Sequence, residues 1–531
     1  MNDAAKPRGG LSDIRLPGGS ALGPFAVLVT AAVLRLHDLG RRPVWTDEGS
    51  TWTAARLDVT ELLHRCVHRD ASPPLYYLLT SWVIRAFGDG EAQLRLVSAV
   101  ASIVLVWLAY RLARLGLGRG PATFAAFLTA VSPFQVQYAQ EARTYTLVAV
   151  FLVGSTYVFA RLQQRPGPRR WLPLVLLTAG GLWTQSIAAL GTAVQGFIAV
   201  ATPTGRRRFW PWAGAMAVAG LLYLPWFLYS REMSHRLGDS HWYVPAPDRH
   251  AVFKVIRAIL ISPFPIVTAP TGSPHPGLGA VMPPALAHLL LALPPILALL
   301  ITLPQAMSRS AKGFLSRLCW TGWLLPVVAV YIASQQQSLM LHRYFVFATP
   351  FVTVLYAHGL ASLGQRPLRV ALAAALVAVS AFGLFRYDRD YTKEPWRQLV
   401  TYIRSVAAPG RTIILVPFDV DPVRYYLRDG KSGLVPHEVA HPNQPFSARF
   451  TPRELYEAAR AAELESLPYD EVWVVIRSAN NDDRWRLAER TMKLASRGRR
   501  IVEDRIWLSY GAPMIVVRYQ RPALADSVTK R

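Results

Sequence analysis

Long apolar segments recur along this chain, and they constrain its fold more than any other feature. Of its 531 residues, 52% are hydrophobic and 17% are charged, and the mean hydropathy is +0.22. A helix of about 20 apolar residues is long enough to cross a bilayer. We therefore predict an α-helical polytopic membrane protein with about eleven spans. The predicted spans are 21–38, 92–115, 121–138, 144–160, 171–185, 187–203, 210–229, 280–303, 319–333, 344–362 and 368–385.

Basic residues gather in alternate connections between these segments, at 111–119, 161–170, 206–208, 309–317 and 366–369. The positive-inside rule assigns such connections to the cytoplasm, and it explains the net charge of +25 without nucleic acid as a partner. We expect residues 1–20 to be a cytoplasmic tail and the first span to be a retained anchor. The arginine-rich, lysine-poor composition is compatible with a bacterium, so we expect the inner (plasma) membrane.

Residues 39–90 form the first predicted outer loop, which holds two helices that we do not expect to span. Asp58-Val-Thr-Glu61 is a capping-box pattern that opens the first helix. The polar face of that helix is predicted to carry Glu61, His64, Arg65 and His68. The second helix runs from Pro73-Pro74 to near Gly88, about 22 Å long against a hydrocarbon core of about 30 Å.

From about Tyr387 the pattern changes. We predict a transmembrane domain at 21–386 followed by an extracytoplasmic α/β domain at 387–531. Strands alternating with helices are typical of such a domain. The β-rich runs are 412–417, 471–476 and 513–518, and the helical patterns are 422–428, 451–462 and 483–497. Its position alone suggests that this domain binds the acceptor.

Charged and aromatic residues concentrate in four outer-side elements. Asp47 and Glu48 follow the first span, and adjacent carboxylates at the mouth of a membrane protein are costly unless they are solvated or used. The other elements are Asp70 to Tyr77, with Tyr76 and Tyr77; Tyr138 to Tyr145, with Glu141 and Arg143; and His342-Arg343-Tyr344. Because all four face the same side, we predict a polar pocket for an anionic lipid head.

Each element also has a purely structural explanation. Asp47 suits the first turn or the cap of a helix. Arginines such as Arg143 and Arg343 reach lipid headgroups from a span end. Tyr76 and Tyr77 suit an aromatic belt at the interface. Glu141 is able to pair with Arg143.

These motifs give the chain a resemblance to a known family. The shared features are the Asp-Glu pair in the first outer loop, Pro-Pro-Leu-Tyr-Tyr before the second span, Gln-Glu-Ala-Arg-x-Tyr near the fourth, and Arg343-Tyr344 in a late outer loop. The chain resembles the polytopic glycosyltransferases of the GT-C type, particularly the family 39 group of protein O-mannosyltransferases and the lipid A aminoarabinose transferase. Ser72 and Gln185 depart from the pattern, because relatives often carry His there, and this puts a His-assisted step in doubt.

The resemblance implies an inverting transfer of a sugar, such as mannose or arabinose, from a polyprenyl-phosphate donor to an extracytoplasmic lipid, polysaccharide or protein. Phosphate is a good leaving group, so one base and a cationic clamp suffice, unlike the two carboxylates of glycoside hydrolysis. We assign Asp47 as general base, with Glu48 beside it. Arg143, Arg343 and His342 are predicted to bind the donor phosphate. Glu141, Asp70, Tyr76, Tyr77 and Tyr344 are predicted to position the donor or the acceptor.

We predict no cofactor, with a divalent metal as the open alternative. His64 and His68 are four residues apart near Asp70, and Asp47-Glu48 offers hard oxygen ligands. Two other classes of function compete with the transferase. A transporter or lipid flippase would show inverted repeats and charges near mid-membrane, but the sequence shows no repeat. A sensor or scaffold would work through the C-terminal domain.

Overall fold

The computed structural model describes residues 22–70, 72–239, 247–262, 282–336, 339–418, 420–439, 452–477, 482–507 and 513–522. The predicted tail at 1–20 lies outside this part of the chain. The described chain is mostly helical. Its α-helices are α1 (Leu22–Leu36), α2 (Thr46–Arg56), α3 (Val59–Arg65), α4 (Leu75–Phe87), α5 (Glu91–Ala113), α6 (Arg119–Ala130), α7 (Pro133–Ala139), α8 (Tyr145–Gln164), α9 (Trp171–Thr184), α10 (Ala189–Ala201), α11 (Pro203–Arg207), α12 (Phe209–Asp239), α13 (Arg249–Leu260), α14 (Pro284–Leu300), α15 (Leu303–Ala306), α16 (Ala311–Ala333), α17 (Ala348–Ser362), α18 (Arg366–Asp390), α19 (Trp396–Val406), α20 (Asp421–Tyr426), α21 (Pro452–Ser466) and α22 (Asp482–Ala495).

Every predicted span contains helix in the structure. Within the described ranges, six helical stretches are long and apolar enough to cross a membrane: Glu91–Ala113, Tyr145–Gln164, Phe209–Arg231, Leu286–Ala306, Ala311–Ala333 and Arg366–Asp390. The predicted fold class, a polytopic helical membrane protein with a C-terminal α/β region, is confirmed. The count of eleven spans stays a prediction.

The predicted span at 121–138 is interrupted. Helix α6 ends at Ala130 and α7 begins at Pro133, where the Ser132 hydroxyl caps the new helix by accepting the Gln135 N–H at 3.4 Å. Proline lacks an N–H and suits the first position of a helix, so the chain restarts there instead of continuing. The sequence pattern missed this break because both halves are apolar.

The outer loop at 39–90 contains α2, α3, a π-helical turn and α4. The capping box is confirmed, since the Asp58 side chain accepts the Glu61 N–H at 2.8 Å. The predicted polar face is wrong at Arg65. This side chain is buried, and its Nη2 lies 2.8 Å from Oδ2 of Asp421 because the C-terminal region covers that side of α3.

The C-terminal region forms one five-stranded sheet in the order β2-β1-β3-β5-β4. Its strands are β1 (Thr412–Pro417), β2 (Val435–Val439), β3 (Glu471–Arg477), β4 (Arg500–Trp507) and β5 (Met514–Gln520). β1 is parallel to β2 and β3, and β5 is antiparallel to β3 and β4. Apolar side chains of α19 and α20 pack on one face, and those of α21 and α22 pack on the other. The sequence missed β2 and β4 because β4 is mostly exposed and charged, and β2 is short and partly polar.

The C-terminal region packs directly on the outer loop. Tyr425 of α20 is buried against Val44, Trp52, Leu94 and Ala142. At Gly49, a Cβ atom would lie 2.8 Å from the backbone nitrogen of Pro422, so only glycine allows α2 and α20 to approach this closely. The first turn of α2, which carries Asp47 and Glu48, is therefore enclosed by both parts of the chain.

Candidate active site

Asp47 and Glu48 lie side by side in the first turn of α2, as the helix-start explanation also expected. Their environments differ sharply. The Asp47 side chain is 26% exposed, whereas that of Glu48 is fully buried. Of these two carboxylates, only that of Asp47 is accessible to a ligand.

Four hydrogen-bonding groups hold the Glu48 carboxylate. Nε and Nη2 of Arg95 form a bidentate pair with it, each at 2.7 Å. The Lys393 ammonium and the Ala142 N–H both lie 2.9 Å from Oε1. Burial opposes ionisation of Glu48, but the charges of Arg95 and Lys393 outweigh it and lower the pKa to about 2. Glu48 thus ties α2, α5, the Ala142 loop and the segment after α18 together.

The loop between α7 and α8 carries Arg143, and its backbone is fixed on both sides. The Thr51 hydroxyl donates to the Ala142 carbonyl at 2.9 Å, and the Ser98 hydroxyl donates to the Arg143 carbonyl at 3.0 Å. Lys393 also donates to the Gln140 carbonyl at 3.1 Å. These bonds set the Arg143 backbone before any ligand arrives.

The structure brings Asp47, Arg143 and Arg343 together. Oδ2 of Asp47 lies 3.4 Å from Nη1 of Arg343 and 3.9 Å from Nε of Arg143. Each of the three side chains is about one-fifth to one-quarter exposed, so this polar cluster is open to a ligand. Arg343 also lies over the rings of Tyr145 and Tyr344, with its Cζ 5.9 and 6.0 Å from the ring centroids.

A third arginine reaches this cluster from the end of β3. Nε of Arg477 forms an ion pair with Oε1 of Glu394 at 2.5 Å. The other Glu394 oxygen accepts the Thr46 N–H at 3.0 Å and the Thr46 hydroxyl at 2.7 Å, directly before Asp47. Burial raises the pKa of Asp47, but Arg143, Arg343 and Arg477 outweigh it, and the pKa is below its ordinary value. The α/β region thus contributes charge to the site.

Glu141 and His342 lie in the same region, and each has a tyrosine hydroxyl as a partner. The Glu141 carboxylate accepts from the Gln137 amide and the Tyr391 hydroxyl, each at 3.1 Å, so the structure pairs it with neutral groups and not with the Arg143 side chain. Burial raises its pKa. Nε2 of His342 lies 3.1 Å from the Tyr138 hydroxyl, and burial, with Arg343, lowers its pKa to about 4. His342 is therefore neutral at pH 7 and adds no positive charge to the cluster.

The predicted tyrosines divide into two groups. Tyr76 and Tyr77 are buried in α4, and the Tyr76 hydroxyl lies 2.7 Å from that of Ser98, which itself holds Arg143. They therefore support the site from inside the fold. Tyr344 is half-buried against Tyr145, with the ring centroids 6.1 Å apart, next to the open cluster. The side chain of Asp70 lies outside the described part of the structure.

The described side chains place no three His, Cys, Asp or Glu residues together as a metal site would require. The His64 and His68 rings lie with their centroids 4.1 Å apart and their planes tilted by 38°. Asp47 and Glu48, the other pair considered, have arginine and lysine as their cationic neighbours. The side chains around Asp47 and Glu48 therefore favour binding of an anion over binding of a metal cation. Gln185, one departure from the family pattern, accepts the Thr144 hydroxyl at 3.1 Å beside Arg143.

Sequence reasoning missed Arg95, Lys393, Glu394 and Arg477. One signal was present for Arg95, because an arginine within an apolar span is costly and needs a partner. Arg477 ends a strand of the parallel part of the sheet, the edge where α/β folds place their ligand-binding groups. No sequence pattern indicated that Lys393 or Glu394 would lie at the site.

Comparison with known proteins shows which families and structures this chain resembles. Residues 71–229 match the family model described as dolichyl-phosphate-mannose-protein mannosyltransferase. The fold is similar to that of ArnT from Cupriavidus metallidurans bound to undecaprenyl phosphate, with a TM-score of 0.57 and 14% identity over 94% of this chain and 98% of that chain. It is also similar to the Archaeoglobus fulgidus oligosaccharyltransferase tethered with an acceptor peptide, with a TM-score of 0.52 and 14% identity over 93% and 74% of the two chains. No curated protein matches the sequence.

The predicted resemblance is confirmed: residues 71–229 match this family model, and the fold is similar to that of GT-C glycosyltransferases over nearly the whole chain. The matched stretch includes Tyr76, Tyr77, Glu141 and Arg143. Asp47 and Arg343 lie outside it. Their roles are therefore argued from geometry below.

Proposed function

We propose that the protein is an inverting glycosyltransferase that moves a sugar from a polyprenyl-phosphate donor to an acceptor hydroxyl outside the cytoplasm. The observation that carries the proposal is the partly exposed Asp47 carboxylate between the guanidinium groups of Arg143 and Arg343. This arrangement supplies one base and two fixed positive charges. The matched family is described by a dolichyl-phosphate donor, and the similar ArnT structure is bound to undecaprenyl phosphate.

The bond changes fit these groups. Asp47 takes the proton of the acceptor hydroxyl, and the acceptor oxygen attacks the anomeric carbon on the face opposite the phosphate. The bond from that carbon to the phosphate oxygen breaks, and the electron pair leaves with the polyprenyl phosphate. The phosphate gains one negative charge in this step. Arg143 and Arg343 therefore bind the leaving group more strongly as it departs, which lowers the barrier.

The low pKa of Asp47 is consistent with its role as a base once the donor is considered. Without donor, the arginines stabilise the Asp47 carboxylate and weaken it as a base. A donor phosphate bound to Arg143 and Arg343 neutralises part of their charge. The pKa of Asp47 then rises toward its ordinary value. Donor binding thus both fills the site and activates the base.

Glu48 is assigned a positioning role in this scheme. Its oxygens already accept from Arg95, Lys393 and the Ala142 N–H, so using it as a base would require breaking buried ion pairs. Glu141 is likewise enclosed, 3% exposed, and holds Gln137 and Tyr391. Asp47 is the carboxylate of the three that an acceptor reaches most directly.

The test is sugar transfer in membranes that carry wild type, Asp47→Asn or Asp38→Asn, with a panel of radiolabelled polyprenyl-phosphate sugars. Asp38 is a matched control because it is half exposed directly before the same outer loop and has φ of 52°, a conformation that asparagine also adopts. We expect one donor to be consumed by wild type and Asp38→Asn, and almost none by Asp47→Asn. Transfer at the wild-type rate by Asp47→Asn would rule out Asp47 as the base. Binding of a donor that is never consumed would favour the transporter or flippase.

A further inference from the structure

A second polar cleft lies far from the candidate active site, between α5 and α8. Its cavity volume is about 320 Å³. Three arginines and three aromatic residues line it: Arg111, Arg114, Arg161, Trp107, Tyr110 and Tyr157. Its lining contains no carboxylate. The cleft is therefore a concentration of positive charge with aromatic walls.

The Arg111 guanidinium, which lines this cleft, is held in place by its neighbours. Its Nη2 donates to the Tyr157 hydroxyl at 2.8 Å. Its Cζ lies 5.3 Å from the Tyr157 ring centroid and 5.6 Å from that of Trp107. Trp107 in turn stacks on Tyr110 at 5.2 Å. A guanidinium fixed in this way loses little conformational freedom when an anion binds, and its planar fork suits two phosphate oxygens.

The cleft lies at the opposite end of α5 and α8 from the residues around Asp47. Arg95, which binds Glu48, and Arg111 are sixteen residues apart on α5, about 24 Å at the helical rise of about 1.5 Å per residue. Arg161 lies in the last turn of α8, whose first residue, Tyr145, packs beside Arg343. Both helices thus carry the candidate active site at one end and the cleft at the other.

An apolar stripe runs along α5 from the cleft. Val100, Val104 and Trp107 recur every three to four residues on α5, so they share one face. They are 49%, 40% and 37% exposed and lie on one continuous face, as expected where a helix faces lipid. Trp107 belongs to both the stripe and the cleft. A ligand with a charged head and apolar tails would contact both surfaces at once.

We propose that this cleft binds the phosphate head of an anionic membrane lipid in the leaflet opposite the candidate active site, with its acyl chains along Val100 and Val104. Basic pockets between membrane helices on the cytoplasmic side are suited to such heads. A free phosphate ion would use the same arginines, but it would gain nothing from the apolar stripe. The proposal does not depend on the transferase reaction.

The test uses the full chain, purified in a zwitterionic detergent and titrated with phosphatidylglycerol while bound lipid is counted by native mass spectrometry. The double variant Arg111→Gln/Arg161→Gln removes two cleft charges. The double variant Arg206→Gln/Arg207→Gln is the matched control, because it removes two exposed arginines from another connection with the same predicted orientation. We expect one phosphatidylglycerol to bind the cleft variant about tenfold more weakly than wild type or control, as loss of charge-assisted hydrogen bonds predicts.

Two further experiments distinguish a lipid headgroup from free phosphate, and weakened binding from misfolding. Phosphatidylcholine and inorganic phosphate serve as competing probes, and neither should displace the bound phosphatidylglycerol at equal concentration. Arg161→Gln alone leaves the Arg111–Tyr157 bond intact and should still weaken binding, with unchanged thermal stability in the absence of lipid. Equal phosphatidylglycerol binding by cleft and control variants would overturn the proposal. Displacement by inorganic phosphate would overturn the lipid assignment.

Discussion

Arg343 and Asp47 lie 3.4 Å apart, from Nη1 to Oδ2, although 296 residues separate them in the chain. The first comes from the turn before α17, and the second comes from the first turn of α2. Together with Arg143 they form a cluster in which one carboxylate neutralises part of the charge of two guanidinium groups. A ligand with a phosphate competes with Asp47 for those groups. This competition affects both the affinity for the donor and the pKa of Asp47.

Asp47→Asn should separate donor binding from transfer. The change removes the base, so the transfer rate should fall by about 10²- to 10⁴-fold, the usual contribution of general base catalysis. It also removes the negative charge that competes for Arg143 and Arg343, so the donor should bind as tightly as to wild type or more tightly. Equilibrium binding of a labelled polyprenyl-phosphate sugar measures the second effect. Donor binding weakened tenfold would show that Asp47 supports the donor site and is not its competitor.

Arg343→Gln should weaken donor binding more than it changes the fold. The side chain is partly exposed and contacts Asp47, Tyr145 and Tyr344. Losing a charge-assisted bond to a phosphate costs about 1.5–3 kcal/mol, or roughly 10- to 150-fold in affinity. Arg343→Lys keeps the charge but lacks the planar fork, so an intermediate affinity is expected. Full affinity in Arg343→Gln, measured with the same labelled donor, would exclude Arg343 from the phosphate site.

The pH dependence of transfer should differ between the free enzyme and the donor complex. Transfer requires ionised Asp47, so the rate falls as the pH drops through its pKa. Burial opposes the ionised form, but the three arginines keep the pKa in the free enzyme below the ordinary value of about 4. The acid limb of kcat/KM for the donor reports the free enzyme and should lie at this low pH. The acid limb of kcat reports the complex, where phosphate screens the arginines, so it should lie at higher pH. Coincident limbs would contradict activation of Asp47 by the donor.

Glu48→Gln should lower the stability of the fold, and the folded variant should bind the donor with wild-type affinity. The neutral side chain would leave the Arg95 and Lys393 charges buried and incompletely paired, which costs about 3–5 kcal/mol. Because the native pKa of Glu48 is about 2, the ion pair stabilises the fold at neutral pH, and this stabilisation is lost as pH falls from the ordinary carboxyl range through that value. Glu457→Gln breaks an exposed pair with Arg453 and should cost about 0–1 kcal/mol. Thermal unfolding of both variants in detergent tests the contrast; equal shifts would contradict it.

The sequence predicted the helical fold class and most of the helices, because apolar periodicity is a local pattern. It could not predict which polar residues meet. Lys393 is an ordinary charged residue in the sequence, and only the packing of the C-terminal region on the outer loop makes it a buried partner of Glu48. The same holds for Arg65 and Asp421. The interrupted helix at Pro133 shows a second limit, since hydropathy alone does not distinguish one span from two short helices.

Substitution of Arg477 tests whether the α/β region takes part in the reaction. Its charge lowers the pKa of Asp47, and through Glu394 it is connected to Thr46, the residue before Asp47. Arg477→Gln removes one of three cations near the phosphate, so kcat/KM for the donor should fall by about tenfold or less, since a charge acting through space contributes less than a direct contact. Arg411→Gln, which breaks an exposed pair with Asp470 in the same region, should leave kcat/KM unchanged.

Rescue by Arg477→Lys distinguishes charge from structure at this position. Lysine keeps the positive charge near Asp47 but cannot reproduce the guanidinium geometry at Glu394. If the charge matters, Arg477→Lys should restore most of kcat/KM, and the acid limb of its pH profile should stay at the wild-type position. In Arg477→Gln that limb should move to higher pH, because Asp47 loses one of the cations that lower its pKa. Equal loss of activity in both variants, with no movement of the limb, would assign Arg477 a structural role and separate the α/β region from the chemistry.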